Sequence, residues 1–131
     1  MPFALNVLPF ARQKQKAKDL LAAGRSLCFE WEYTKAIAEF TKALQLRGVP
    51  LSLQITILDE RAAARERLGG TVNLELALQD AGMMTQLSKV DSAGYIRAGK
   101  IYVLLNQDKS ALDILEYGLK QVGRYSWAFM V

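Results

Sequence analysis

The chain has 131 residues, 51% of them apolar and 23% charged, with three prolines and a net charge of +4. That length holds one domain with a modest core, and the composition is that of an ordered, helix-friendly protein. The absence of histidine excludes imidazole bases, Ser-His and Cys-His nucleophile pairs and the usual zinc and iron ligands. The one cysteine, Cys28, cannot close an internal disulfide, which fits a reducing compartment. There is no run of about eighteen apolar residues to predict a membrane span, and the basic residues are scattered, so no direct nucleic-acid role is expected.

In chain order, residues 1–16 carry basic residues and, like the rest of the chain before Asp19, no acid. This is a transit-peptide feature, but the segment is short and lacks a small-residue cleavage site. It therefore reads as an N-terminal extension packed on the first pair of helices. The stretch "AKDLLAAGRSLCFEWEYTKAIAEFTKALQL" predicts that pair. The first helix carries Leu20, Ala23, Gly24 and Leu27 at helical spacing, and the second carries Ala36, Phe40 and Ala43. Trp31, Glu32 and Tyr33 mark the turn between them. Cys28, beside Leu27 and Phe29, reads as core or groove lining rather than a reactive thiol.

The middle of the chain, "LSLQITILDERAAARERLGG" and "NLELALQDAGMMTQL", supplies Leu58 and Ala62, then Ala77, Ala81 and Met84. Gly69 and Gly70 act there as helix stops. "GYIRAGKIYVLLNQDKSALDILEYGL" places Tyr95, Gly99 and Tyr102 on one helix and Ala111, Leu115 and Gly118 on the next. Each helix pairs bulky knobs with a small notch, so the two can approach closely across Asn106-Gln107-Asp108.

Ala36, Ala77 and Ala111 recur at intervals of 41 and 34 residues. A two-helix unit of about 34 residues that tolerates loop insertions is the signature of tetratricopeptide repeats, and three units are about the minimum that buries a continuous core. The predicted fold is all-α, a right-handed superhelical solenoid of three such hairpins with a short extra N-terminal segment. The expected divisions are 1–16 for the extension, 17–54, 55–91 and 92–122 for the repeats, and 123–131 for an apolar tail. The tail holds Trp127, Phe129, Met130 and Val131. It is expected to fold back over the last hairpin or to form a self-association surface with the N-terminal "FALNVLPF".

In such a stack the first helix of each repeat lines the concave face. Helical phase then offers Lys18, Leu21, Arg25 and Phe29 from the first repeat. The second offers Thr56, Asp59, Glu60, Ala63 and Glu66, and the third Ile96, Arg97, Lys100 and Leu104. From these the expected partner-binding set is Leu21, Arg25, Asp59, Glu60, Ile96, Arg97 and Lys100. Arg25, Glu60, Arg97 and Lys100 would set specificity over an apolar floor of Leu21 and Ile96. The competing reading is an ion-pair lattice joining Asp59 and Glu60 to Arg25, Arg97 or Lys100. The acids of "LDERAAARER" sit beside Arg61, Arg65 and Arg67 and read as a salt-bridged exposed helix face rather than a general acid-base pair. No catalytic residue, metal ligand or cofactor is expected.

Two resemblances refine this. Some tetratricopeptide domains grip the acidic C-terminal tails of heat-shock chaperones in a two-carboxylate clamp. Its positions fall here on Leu21, Arg25, Glu60, Ala93 and Arg97, and only Arg97 keeps the clamp chemistry, so a chaperone-tail adaptor is disfavoured. The segments "DSAGYIRAGKIYVLLNQDKSALDILEYGLKQV" and "LALQDAGMMTQLSKVD" resemble the N-terminal tetratricopeptide region of fungal F-box proteins. The resemblance covers most of the chain and is specific over about its last sixty residues. In that family an F-box and leucine-rich repeats come after the tetratricopeptide region, and the whole protein is the substrate receptor of an SCF-type ubiquitin ligase. The resemblance implies a nuclear or cytoplasmic domain that tethers the receptor to replication-fork and chromatin-associated proteins. After Val122 the family pattern gives a proline-containing bend, a further helix and the F-box. Here the sequence reads "GRYSWAFMV", so the chain is expected to be an isolated domain, a truncated family member or a short stand-alone paralogue, and the resemblance implies the tether and not the ligase-binding part.

Overall fold

In the computed structural model, which describes the backbone of residues 2–130 and the side chains of residues 11–124, six helices follow one another. They are α1 (Pro2–Phe29), α2 (Tyr33–Leu44), α3 (Leu51–Leu68), α4 (Thr71–Leu87), α5 (Ala93–Leu104) and α6 (Asp108–Met130). Each packs on its neighbour in sequence, giving the hairpins α1–α2, α3–α4 and α5–α6. Among the described residues α1 also touches α3, and α3 touches α5, whereas α2, α4 and α6 pack only on helices adjacent in sequence. The odd helices therefore crowd together while the even ones splay apart. That places α1, α3 and α5 on the inside of a curved stack.

The turns are built from backbone capping. α1 ends with Trp31 at φ 66° and α5 with Asn106 at φ 60°. In each turn a backbone N–H reaches back five residues, from Glu32 to the Leu27 carbonyl (2.8 Å) and from Gln107 to the Tyr102 carbonyl (2.8 Å). This satisfies carbonyls that the helix end leaves free. Asn tolerates the left-handed conformation, while a Trp there is held against an intrinsic cost of about 1 kcal/mol. Gly69 and Gly70, at φ 71° and 84°, separate α3 from α4 at no such cost, and the Asn73 side chain donates to the Gly69 carbonyl at 2.8 Å.

Small residues set the distance between helices. A Cβ built on Gly118 would lie 2.5 Å from the Tyr95 ring, and one on Gly99 would lie 2.8 Å from Leu115. The knobs and notches read from the sequence thus interlock across α5 and α6. Gly24 does the same for the Phe40 ring between α1 and α2. Around these contacts, Ala17, Leu21, Ala36, Phe40, Ala43, Ile57 and Ala64 form one buried cluster. Ala62, Ala77, Ala81, Ala98 and Ile101 form a second.

The element boundaries differ from the expected divisions in three places. α1 begins at Pro2 and runs into the first hairpin without a break, so residues 2–16 belong to its helix. α3 starts at Leu51, ahead of the expected boundary at 54/55, because Pro50 with its fixed φ of −56° suits the residue just before a helix. α6 continues past Val122. The side chains of Trp127, Phe129, Met130 and Val131, and those of "FALNVLPF", lie outside the described residues.

Candidate functional site

The inward surface of α1, α3 and α5 carries a chain of ion pairs at two seams. Between α1 and α3, Arg25 Nε donates to Glu60 Oε1 at 3.1 Å. Between α3 and α5, Arg97 Nε donates to Asp59 Oδ1 at 2.8 Å and its Nη1 to Glu66 Oε1 at 3.1 Å. These residues meet because α1, α3 and α5 run side by side. Asp59, Glu60 and Glu66 leave α3 toward opposite neighbours. Burial disfavours the Arg97 charge, but the hydrogen bonds and charges of Asp59 and Glu66 outweigh it and hold its pKa above the ordinary arginine value. The ion-pair lattice is formed, and it links all three inner helices.

Of the expected contact residues, Ile96 is 48% exposed on α5. Lys100, one turn further on, is exposed and has no carboxylate within 4.0 Å among the described residues. Leu21 must be corrected. It is 6% exposed and belongs to the cluster with Phe40, Ile57 and Ala64, so it is core and not groove floor. The physical reason is that α1 packs against both α2 and α3, which needs an apolar arc wider than one stripe. Cys28 lies beside this seam. Burial, and then the Glu60 charge, raise its thiol pKa, so the protonated form dominates at neutral pH.

A second correction concerns the arginines of α3. Arg61 and Arg65, read from the sequence as part of an exposed face, have side chains only 11% and 15% exposed. Both grip Asp80 of α4, itself 1% exposed. Arg61 donates from Nε and Nη2 to the two Asp80 oxygens at 3.1 and 2.6 Å, and Arg65 Nη1 adds a third bond at 2.8 Å. Arg61 Nη1 also donates to Thr41 Oγ1 at 3.2 Å, tying α2 into the same network. Sequence reading missed Asp80, although a signal was present. It lies three residues after Ala77 and four before Met84, a charge on an otherwise apolar stripe. The network ties α2, α3 and α4 together.

No family model matches the chain. Two solved structures share its architecture. The first TPR of Spaghetti (RPAP3), bound to the HSP90 peptide SRMEEVD, superposes with a TM-score of 0.69 at 22% identity over 90% of this chain and 98% of that one. The second TPR of the same protein, bound to the same peptide, gives 0.67 at 23% identity over 82% and 94%. The fold is that of the tetratricopeptide repeat. In sequence, Protein DIA2 of Eremothecium gossypii is 33% identical over 123 residues, a match that takes in 73% of this chain and 18% of that protein. The chain thus corresponds to a small part of the length of this relative. In the tetratricopeptide frame α1, α3 and α5 are the first helices of the three repeats, and their shared inward face is the candidate site. No described helix is long and apolar enough to cross a membrane.

Proposed function

We propose that the chain is a non-catalytic protein-interaction module that holds a peptide or helix of a partner against its concave face. In this reading it serves, in the nucleus or the cytoplasm, as the region of an F-box ubiquitin-ligase receptor that tethers it to replication-fork or chromatin-associated proteins. The observation that carries the interaction role lies on α5. There Ile96 and Lys100 stand exposed and unpartnered among the described residues beside an arginine that two carboxylates already hold in place. A rigid face that presents an apolar and a charged contact in fixed register can dock a segment without first being ordered. The tethering role is supported by the resemblance of residues 76–122 to fungal F-box proteins and by the similarity to Protein DIA2.

Affinity capture from fungal nuclear extract tests this, with the chain compared to its Ile96→Ala/Lys100→Glu variant. Arg97 is left intact, since a reversed charge beside Asp59 and Glu66 would disturb the fold itself. Capture of replication-fork proteins by the parent chain and their loss from the variant, with thermal stability unchanged, is the expected result. Equal capture by both forms would remove the concave face from the reading. Selective capture of heat-shock chaperones would replace the tether with a chaperone adaptor.

A further inference from the structure

The seam between α1 and α3 carries two openings. One, of about 300 Å³, is lined by Lys14 and Lys18 of α1 and by Ser52, Leu53 and Thr56 of α3. The other, of about 270 Å³, is lined by the Arg25–Glu60 pair and Arg67 as well as by Cys28, Phe29, Tyr33, Ala63 and Ala64. The Arg25–Glu60 pair stands between the two groups of α1 residues along the helix. Charge along this seam is unbalanced. Glu60 is bonded to Arg25, and Asp59 and Glu66 face away to Arg97. Lys14, Lys18 and Arg67 have no carboxylate within 4.0 Å among the described residues. The surplus is positive and sits mainly at the Lys14–Lys18 end. At the other end apolar groups, Phe29 (89% exposed), Tyr33, Ala63 and Ala64, share the lining with the Arg25–Glu60 pair and Arg67.

We infer that this seam binds an internal acidic segment of a partner protein, with Asp or Glu side chains at Lys14 and Lys18 and one large apolar side chain between Phe29, Tyr33 and Ala63. The inference rests on the peptide-binding reading above and assigns the chemistry of the peptide. Spacing follows from the helix. From Lys18 to Phe29 a rise of 1.5 Å per residue covers roughly 16 Å, and an extended strand covers that distance in about five residues. The segment is internal because the position that would clamp a chain-terminal carboxylate is occupied. Arg97 is saturated by Asp59 and Glu66 at 2.8 and 3.1 Å. Electrostatic attraction would guide the acidic end, and burial of the apolar side chain would slow its departure.

Fluorescence anisotropy on the full chain tests this with labelled peptides that carry three glutamates and one phenylalanine, separated by Gly-Ser spacers of one or five residues. The peptides are made with free and with amidated C-termini. The five-residue spacer is expected to bind at least tenfold tighter than the short one. Lys14→Glu/Lys18→Glu is expected to weaken it at least tenfold with circular dichroism unchanged, both lysines being exposed. Filling the second cavity with Ala63→Leu should weaken it in the same direction, and amidation should change affinity by less than threefold. Equal binding by the lysine variant, loss of binding on amidation, or no binding by either peptide would overturn the assignment. Capture of a partner that depends on Ile96 and Lys100 could still succeed in that case, so the two readings fail separately.

Discussion

At Asp80 a carboxylate sealed between α3 and α4 accepts three hydrogen bonds from two guanidinium groups. Burial lowers the pKa of Arg65, with the Arg61 charge pushing the same way and Asp80 opposing both, yet an arginine stays charged throughout the accessible range. Removing the carboxylate would strand two cations in a space with little water. Asp80→Ala is therefore expected to cost about 3–5 kcal/mol, the range for breaking a buried pair by deleting one partner. Urea denaturation checks it, and a loss below about 1 kcal/mol would mean that the arginines swing out to solvent. The inner pairs behave differently. Arg25 is half exposed, so its bond to Glu60 contributes at most about 1 kcal/mol and leaves that arginine free to exchange partners. At this scale the sequence made Arg25, Asp59, Glu60 and Arg97 legible, because their phase on inner helices is a local property. Leu21 was misread by the same logic, since its neighbour Ile57 lies in another repeat.

The elements owe their spacing to glycine. Gly118 is buried against the Tyr95 ring, and Tyr95 in turn packs edge-on against Tyr117 with ring centroids 6.0 Å apart. Its hydroxyl donates to the Lys89 carbonyl at 2.9 Å. The ring is thus pinned at both ends and cannot give way. Gly118→Ala is expected to destabilise the protein by about 1–3 kcal/mol through overpacking. Gly82, exposed within α4, would place a Cβ in open space, so Gly82→Ala should stabilise by about 0.5–1 kcal/mol. Measured side by side by thermal unfolding, the two substitutions should differ in sign. If both stabilise, α5 and α6 are not in close contact. The notches at Gly99 and Gly118 were readable from spacing alone, because Gly99 lies three or four residues from Tyr95 and Tyr102 and Gly118 three from Leu115, and a glycine so placed in a helical pattern has few other uses. The start of α3 was not, since Leu51 to Gln54 carry no strong period and only the chain's path after Pro50 fixes the boundary.

For the whole molecule, stability follows the one-dimensional order of a solenoid, in which each helix depends on its immediate neighbours. Among the described residues α3 has four packing partners, α1, α2, α4 and α5, whereas α6 has α5 alone. α6 also leaves Leu112, Leu115, Tyr117 and Leu119 exposed. Amide protons at the centre of α3, from Ile57 to Ala64, are therefore expected to exchange slowest, and those from Ala111 to Gly118 markedly faster. Native-state hydrogen exchange reads this directly. Uniform protection along the chain would show that the stack opens as one unit rather than from an end.

The sequence by itself determined the repeat, its small-and-large grammar and the all-α fold, since each depends on periodicity within about 40 residues. Only the tertiary structure decided which inward residues remain available. Arg97 is consumed by Asp59 and Glu66, Leu21 is buried by α3, and Lys18 and Lys100 are left without a carboxylate among the described residues. Pairing between side chains 31 to 38 residues apart depends on how successive hairpins are stacked. Stacking is set by the volumes meeting at each seam, and no single helix carries that information.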